Sequence, residues 1–255
     1  MFTPETRTIR RDGVALHGLW LPGAGTPLIV VPGVLSDARG WLGVARAIEA
    51  PVLVLERRGR GLSGGLGPGY GVHTEVGDLL AWIDALGTPA RVFGWSYGGL
   101  VASQVASKTK GIILYEPVVA PFGAEAVPGV RVATAARDWA RVLELVNLCV
   151  SRYSPAHVAA LRASPAWARL LPLARPVHAE LVAINAFRPA PIAGGVPVDL
   201  VIGEHSEGVP PYGPAFDRVA ALAPAARVRV LPGQGHLAHA ADPAALGRMI
   251  ASLTR

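Results

Sequence analysis

Cysteine and lysine are almost missing from this 255-residue sequence. A single cysteine, Cys149, excludes an internal disulfide framework and gives no sign of an oxidising compartment. Only Lys108 and Lys110 are lysines among 24 basic residues, and the arginines are scattered. Charged side chains make up just 16% of the chain, and the net charge of +6 has no basic stripe behind it. Nucleic acid is therefore not an expected partner. Long apolar runs are also absent: none approaches the ~18 residues of a membrane span. The opening Met1-Phe2-Thr3-Pro4-Glu5 lacks the basic start and apolar run of a secretory leader. The expectation is a soluble cytoplasmic protein that acts on a small molecule, with no membrane role. Its oligomeric state is not readable. What is abundant is apolar residues (51%), with 30 Gly and 23 Pro. A disordered chain shows the opposite balance, and no collagen period is present. Gly and Pro must punctuate a sizeable folded core.

Short Val-, Ile- and Leu-rich runs alternate with helical patterns. Thr6–Arg11 and Val14–Leu21 flank Asp12-Gly13, a hairpin signal. Buried strands are predicted at Leu28–Val31, Val52–Leu55, Arg91–Gly94 and Gly111–Tyr115. Between them, helices are predicted at Trp41–Ile48, Thr74–Leu86 (with Gly87 as its C-terminal cap) and Leu100–Ser107. This alternation predicts a mostly parallel, twisted α/β sheet with helices on both faces. From Val119 to Pro189 no strand signal appears. Asp138–Arg152 is strongly helical, Ser154-Pro155 and Ser164-Pro165 each start a helix, and another spans Val177–Asn185. Strands resume at Val196–Ile202 and Arg227–Leu231, with helices near Phe216–Leu222 and Pro243–Leu253. The expected division is a core of 1–118 and 190–255 and a helical insertion of 119–189.

Gly-x-Ser-x-Gly occurs twice, at Gly94–Gly98 around Ser96 and at Gly61–Gly65 around Ser63. In so glycine-rich a chain the pattern alone is weak. The chemistry needs a strand, a sharp turn and a helix, so that the hydroxyl projects above the sheet. Ser96 has both flanks; Ser63 has neither and reads as a loop residue. A serine hydroxyl needs a base. Of seven histidines, His236 follows the last strand in Pro232-Gly233-Gln234-Gly235-His236. Loops after parallel strands gather on one edge, so His236 can meet Ser96 there. His239 reads as a solvated loop or helix-start residue. His236 and His239 alone have ligand spacing, with Asp242 as their one nearby carboxylate; the trio is not read as a metal site, and neither a metal nor a cofactor is expected.

Pro32-Gly33-Val34, Glu56–Ser63, Gly94–Gly99 and Gly235-His236, in that order and spacing, resemble the α/β-hydrolase superfamily over nearly the whole chain. The resemblance implies an α/β-hydrolase fold with a helical cap. It implies Ser96 as nucleophile, His236 as base, and the backbone N–H groups of Val34 and Tyr97 as an oxyanion hole. The Glu56–Ser63 stretch is implied to be structural. The usual acid after the next-to-last strand is missing, because Ser206 stands where Asp is expected. Two replacements are available. Glu204 or Glu207 could reach in from that same loop. Alternatively, Glu116 follows the strand after the nucleophile helix, on the correct edge; its bland reading is a salt bridge to a cap arginine. Glu116 is the favoured acid, and a dyad without an acid is the remaining case.

A Ser–His–carboxylate set with an oxyanion hole implies an acyl-enzyme. The leading expectation is hydrolysis of a carboxylic ester, lactone or thioester. Acyl transfer, cyclisation or carbon–carbon bond hydrolysis could use the same residues, and a non-catalytic ligand binder is the reading outside enzymes. Trp139, Leu143, Trp167, Leu170 and Leu171 of the insertion suggest an apolar substrate, although packing against the core explains each of them as well.

Overall fold

The computed structural model describes residues 3–192 and 195–254. Met1 and Phe2, read above for a leader, lie outside them, as does part of the 190–255 core segment. Eight strands form one sheet: β1 (Glu5–Arg11), β2 (Val14–Leu21), β3 (Leu28–Val31), β4 (Val52–Glu56), β5 (Arg91–Trp95), β6 (Ile112–Tyr115), β7 (Val198–Gly203) and β8 (Arg227–Leu231). Their spatial order is β1-β2-β4-β3-β5-β6-β7-β8. β1 and β2 form the predicted hairpin, and β2 runs antiparallel to β4. Every other pairing is parallel. The C-terminal ends of β3 to β8 therefore open on one edge.

Side chains alternate across a strand with a period of two. Leu28 and Val30 of β3 thus join one apolar cluster, while Ile29 and Val31 join another on the opposite face. The first cluster is covered by α1 (Leu42–Arg46) and by the C-terminal helix, Pro243–Thr254, through Val44, Ala45, Leu246 and Ile250. The second lies under α2 (Val72–Leu86) and α3 (Tyr97–Ser103). Gly87 closes α2 at φ +62°, a left-handed cap that a side chain would strain. The helix behind Ser96 begins at Tyr97, three residues earlier than the sequence pattern suggested. The apolar pattern missed this start because it opens on Gly98 and Gly99.

Between β6 and β7 lie α4 (Val127–Ala135), α5 (Trp139–Leu145), α6 (Pro155–Ala163), α7 (Pro165–Leu170) and α8 (Val177–Ala186). Ser154 and Ser164 accept the backbone N–H groups of His157 and Ala166, so both predicted Ser-Pro starts are real N-caps. The long helix expected over Asp138–Arg152 instead ends its α-helical part at Leu145 and widens into a π-turn over Val146–Val150. Asn147 Nδ2 donates to Leu143 O there at 2.8 Å. The pattern does not announce this bulge, because Val142, Leu143, Val146 and Val150 keep ordinary helical spacing through it. After β7 come α9 (Tyr212–Leu222), α10 (Ala238–Ala241) and α11 (Pro243–Thr254).

Candidate active site

Ser96 sits between β5 and α3 with φ 56° and ψ −120°, a conformation that L-residues rarely hold. Such backbone strain costs on the order of 1–3 kcal/mol and persists only where the surroundings enforce it. Here they do. A Cβ on Gly98 would stand 2.0 Å from Val31 O, so only glycine lets α3 start this close to β3. The Ser96 N–H donates to Tyr115 O at 3.1 Å, and Ser96 O accepts from Gly99 and Leu100. Ser63 has no comparable position. Its hydroxyl donates to Glu56 O and accepts from the His17 N–H, which makes it a loop staple.

His236 and Glu116 come together on the same edge. His236 Nδ1 donates to Glu116 Oε2 at 2.7 Å, and Glu116 Oε1 accepts from the Gly203 N–H at 2.9 Å. Glu116 is fully buried and, like Ser96, has a positive φ (42°). Neither oxygen meets an arginine. Glu204 instead accepts from the Gly233 N–H in the His236 loop, and Glu207 is exposed; neither bonds to His236. The His236 loop is held by its carbonyls: Trp95 Nε1 donates to His236 O at 2.9 Å, and Tyr115 Oη donates to Gly235 O at 2.8 Å. The Tyr212 ring stacks on the imidazole at 3.5 Å, nearly parallel. This stacking partner was invisible to motif reading, because Tyr212 belongs to a helix far along the chain.

Ser96, His236 and Val34 all line one cavity of about 760 Å³. No direct hydrogen bond joins Ser96 Oγ to His236 among the described residues, as is common before a substrate tightens such a site. The N–H groups of Val34 and Tyr97 have no acceptor among the described residues, so both are free to donate. Much of the cavity lining comes from the segment between β6 and β7, including Val146, Val150, Leu161, Leu170 and Ile184. Of the five apolar residues singled out in that segment, only Leu170 reaches the cavity. Trp139, Leu143, Trp167 and Leu171 pack into the core instead.

One finding corrects the sequence reading, and another adds to it. His239 lies in the first turn of α10, as the helix-start reading had it, but its ring is packed rather than solvated. Its ring stacks flat on Trp41 at 4.7 Å and tilts against Trp95 at 4.4 Å, beside the cavity. Burial, with a smaller push from neighbouring His236, lowers it to about 3, so it is neutral at any working pH. Arg57, Arg58 and Arg60, in the stretch expected to be structural, are buried. Arg57 donates to Glu75 at 2.8 Å and to Glu180 at 2.5 Å, and Arg60 to Glu180 at 2.7 Å, all of them buried. Arg58 forms a fork with Asp78 at 2.6 and 2.8 Å. Burial works against the Arg57 charge, yet the Glu180 and Glu75 carboxylates hold it well above the usual arginine range. Among the described residues no three His, Cys, Asp or Glu side chains are grouped to hold a metal, and no helix is long and apolar enough to cross a membrane.

A serine on a strand–turn–helix elbow, at the C-terminal edge of an eight-stranded, mostly parallel sheet, defines an α/β hydrolase. The chain belongs to the Alpha/beta hydrolase family, which it matches over residues 14–248. It is 33% identical over 129 residues to the N-formylmaleamate deformylase of Pseudomonas putida. That match spans 47% of this chain and about half, 48%, of the deformylase. Its fold is similar to that of an alpha/beta hydrolase from Sphaerobacter thermophilus, with TM-score 0.82 and 25% identity over 98% of this chain and 100% of that one. It is also similar to the enol-lactonase from Burkholderia xenovorans, with TM-score 0.76 and 18% identity over 98% and 100% of the two chains.

Proposed function

We propose that this protein is a serine hydrolase that cleaves a carboxylic ester, lactone or thioester of a small, largely apolar substrate. The carrying observation is the 2.7 Å bond from His236 Nδ1 to a fully buried Glu116, on the same sheet edge as Ser96. With Nδ1 committed to the carboxylate, Nε2 is left as the lone-pair nitrogen that a base needs. Ser96 Oγ attacks the acyl carbon while His236 Nε2 takes its proton. The negative charge develops on the former carbonyl oxygen, where the N–H groups of Val34 and Tyr97 donate to it; each such donor is worth about 3–4 kcal/mol in studied sites. Collapse expels the alcohol or thiol, which leaves with the proton held by His236. Water, deprotonated by the same nitrogen, then frees the acid and restores Ser96. The Glu116 carboxylate stabilises the imidazolium as it forms.

Residues 119–189 serve as a cap that roofs the cavity and selects the substrate. The lining is mostly apolar in area, with Asp37, Arg39, Asn147 and Arg169 also present, and supports a largely apolar acyl or alcohol group. The names of two similar proteins, a deformylase and an enol-lactonase, point toward acyl-bond cleavage as well. The test is labelling with a fluorophosphonate, followed by a screen of p-nitrophenyl esters, lactones and acyl thioesters. Robust labelling that vanishes in Ser96→Ala is expected. A wild-type protein that takes no label would favour a ligand-binding member of the fold without turnover.

A further inference from the structure

Arg57 is buried directly behind the turn that carries Val34. Its Nε donates to Pro32 O at 2.8 Å and its Nη2 to Gly33 O at 2.8 Å. Gly33 O belongs to the same peptide unit as the Val34 N–H. A donor on that carbonyl fixes the plane of the peptide and polarises its N–H, since linked hydrogen bonds strengthen one another. The same guanidinium lies 4.9 Å from the centre of the Tyr97 ring, and the Tyr97 hydroxyl is 3.4 Å from that of Tyr70. One side chain thus meets the carbonyl of the peptide unit that carries the Val34 N–H and the ring of Tyr97, the other proposed donor residue.

We infer that Arg57 is a positioning residue for the oxyanion hole, holding the Gly33–Val34 peptide and the Tyr97 ring in fixed relation. The inference rests on the hydrolase reading above. Its geometry also explains why so many charges are buried behind the site. Nη1 donates to Glu75 and Nη2 to Glu180, so the fork cannot rotate away from the two carbonyls. Glu75 is further tied to the Tyr70 hydroxyl at 2.6 Å, and Glu180 to Arg60. Glu180 belongs to α8, which also lines the cavity through Leu181 and Ile184. The helical segment therefore completes the clamp on the oxyanion turn. A lysine cannot replace it, because one ammonium has three protons in a tetrahedral array, against four partners set around a planar fork.

The test compares Arg57→Lys with Arg58→Lys. Arg58 is an equally buried neighbour whose fork holds Asp78 and touches no part of the oxyanion turn. Turnover of p-nitrophenyl acetate is measured per titrated active site, together with inhibition by a phenylboronic acid, whose tetrahedral serine adduct needs the oxyanion hole. In Arg57→Lys, kcat per site is expected to fall roughly 10- to 100-fold with KM within about twofold. Boronate affinity should fall in parallel, the pattern of an interaction made in the transition state. Arg58→Lys should lower Tm but keep kcat per site within about twofold. If the two variants lose turnover per site equally, or if Arg57→Lys loses it only through the folded fraction, the role is merely structural and the inference is overturned. The Val34 amide gives a readout independent of chemistry: its ¹⁵N shift and exchange rate should move in Arg57→Lys and not in Arg58→Lys. An unmoved amide overturns the inference even if Ser96 is active. A wild type without label or turnover overturns the hydrolase reading instead, and the amide still decides the positioning claim.

Discussion

Replacing Glu116 with Gln is the sharpest perturbation of this site, because the structure dictates how the amide must sit. Glu116 Oε1 accepts from the Gly203 N–H and Oε2 accepts from His236 Nδ1. A glutamine that turned its NH₂ toward Gly203 would set donor against donor in a fully buried place. Its oxygen must therefore face Gly203, and its NH₂ must face His236. Nδ1 then has to accept, so the proton moves to Nε2, the nitrogen that the proposed mechanism uses to receive the Ser96 proton. The wrong tautomer is fixed by geometry. The lost charge adds to this. A carboxylate about 4 Å from the imidazolium centre, at an effective dielectric near 20, contributes up to about 4 kcal/mol, or about 10³-fold in rate. The expected loss in kcat is thus about 10³- to 10⁴-fold, with KM little changed and the fold intact because the side chain is isosteric. The assay is p-nitrophenyl acetate hydrolysis at pH 7.5, normalised to folded protein, with Glu204→Gln and Glu207→Gln alongside. Those two should stay within about threefold of wild type. A Glu116→Gln enzyme within threefold of wild type would falsify the assignment of Glu116 as the acid.

Two further substitutions probe the frame around the site. Gly98→Ala would force a Cβ to 2.0 Å from Val31 O, so α3 must shift away from β3; a loss of more than about 3 kcal/mol, or insoluble protein, is expected from such overpacking, and a Tm within 2 °C of wild type would refute the close-approach reasoning. Glu56 is raised to about 6 from 4.5, mainly by burial and secondarily by Asp37. The folded protein therefore holds this proton more tightly than the unfolded chain, and the associated stability is present below pH 4.5 and lost as pH rises through 6. Glu56→Gln should remove that loss, raising stability near pH 7.5 by up to about 2 kcal/mol and leaving it unchanged near pH 4, as read from Tm across pH.

Much of this site was legible in the chain because its parts are local. The elbow at Ser96 is written in consecutive residues: an apolar strand, Gly-x-Ser-x-Gly, then helix. Context separated it from Ser63, whose hydroxyl proves to staple a loop. Glu116 stood out as a carboxylate ending a buried strand, and parallel strands must deliver their C-termini to one edge. The readings that failed concern environment rather than position. His239 looked solvated because nothing nearby in the sequence announces that Trp41 and Trp95 will sandwich it. The partners of Arg57, Arg58 and Arg60 could not be read locally, because their carboxylates, Glu75, Asp78 and Glu180, lie between 18 and 123 residues away.

The sequence by itself determined the alternation of strand and helix, the parallel sheet, and which serine sits on an elbow. Each of these follows from periodicity and turn chemistry within a few residues. Only the tertiary structure decided which carboxylate meets His236, which apolar side chains of the helical segment face the cavity, and what stands behind the Pro32–Val34 turn. Those are contacts between distant segments. They depend on the direction of each side chain to within a few ångströms, and residue type alone does not carry that information.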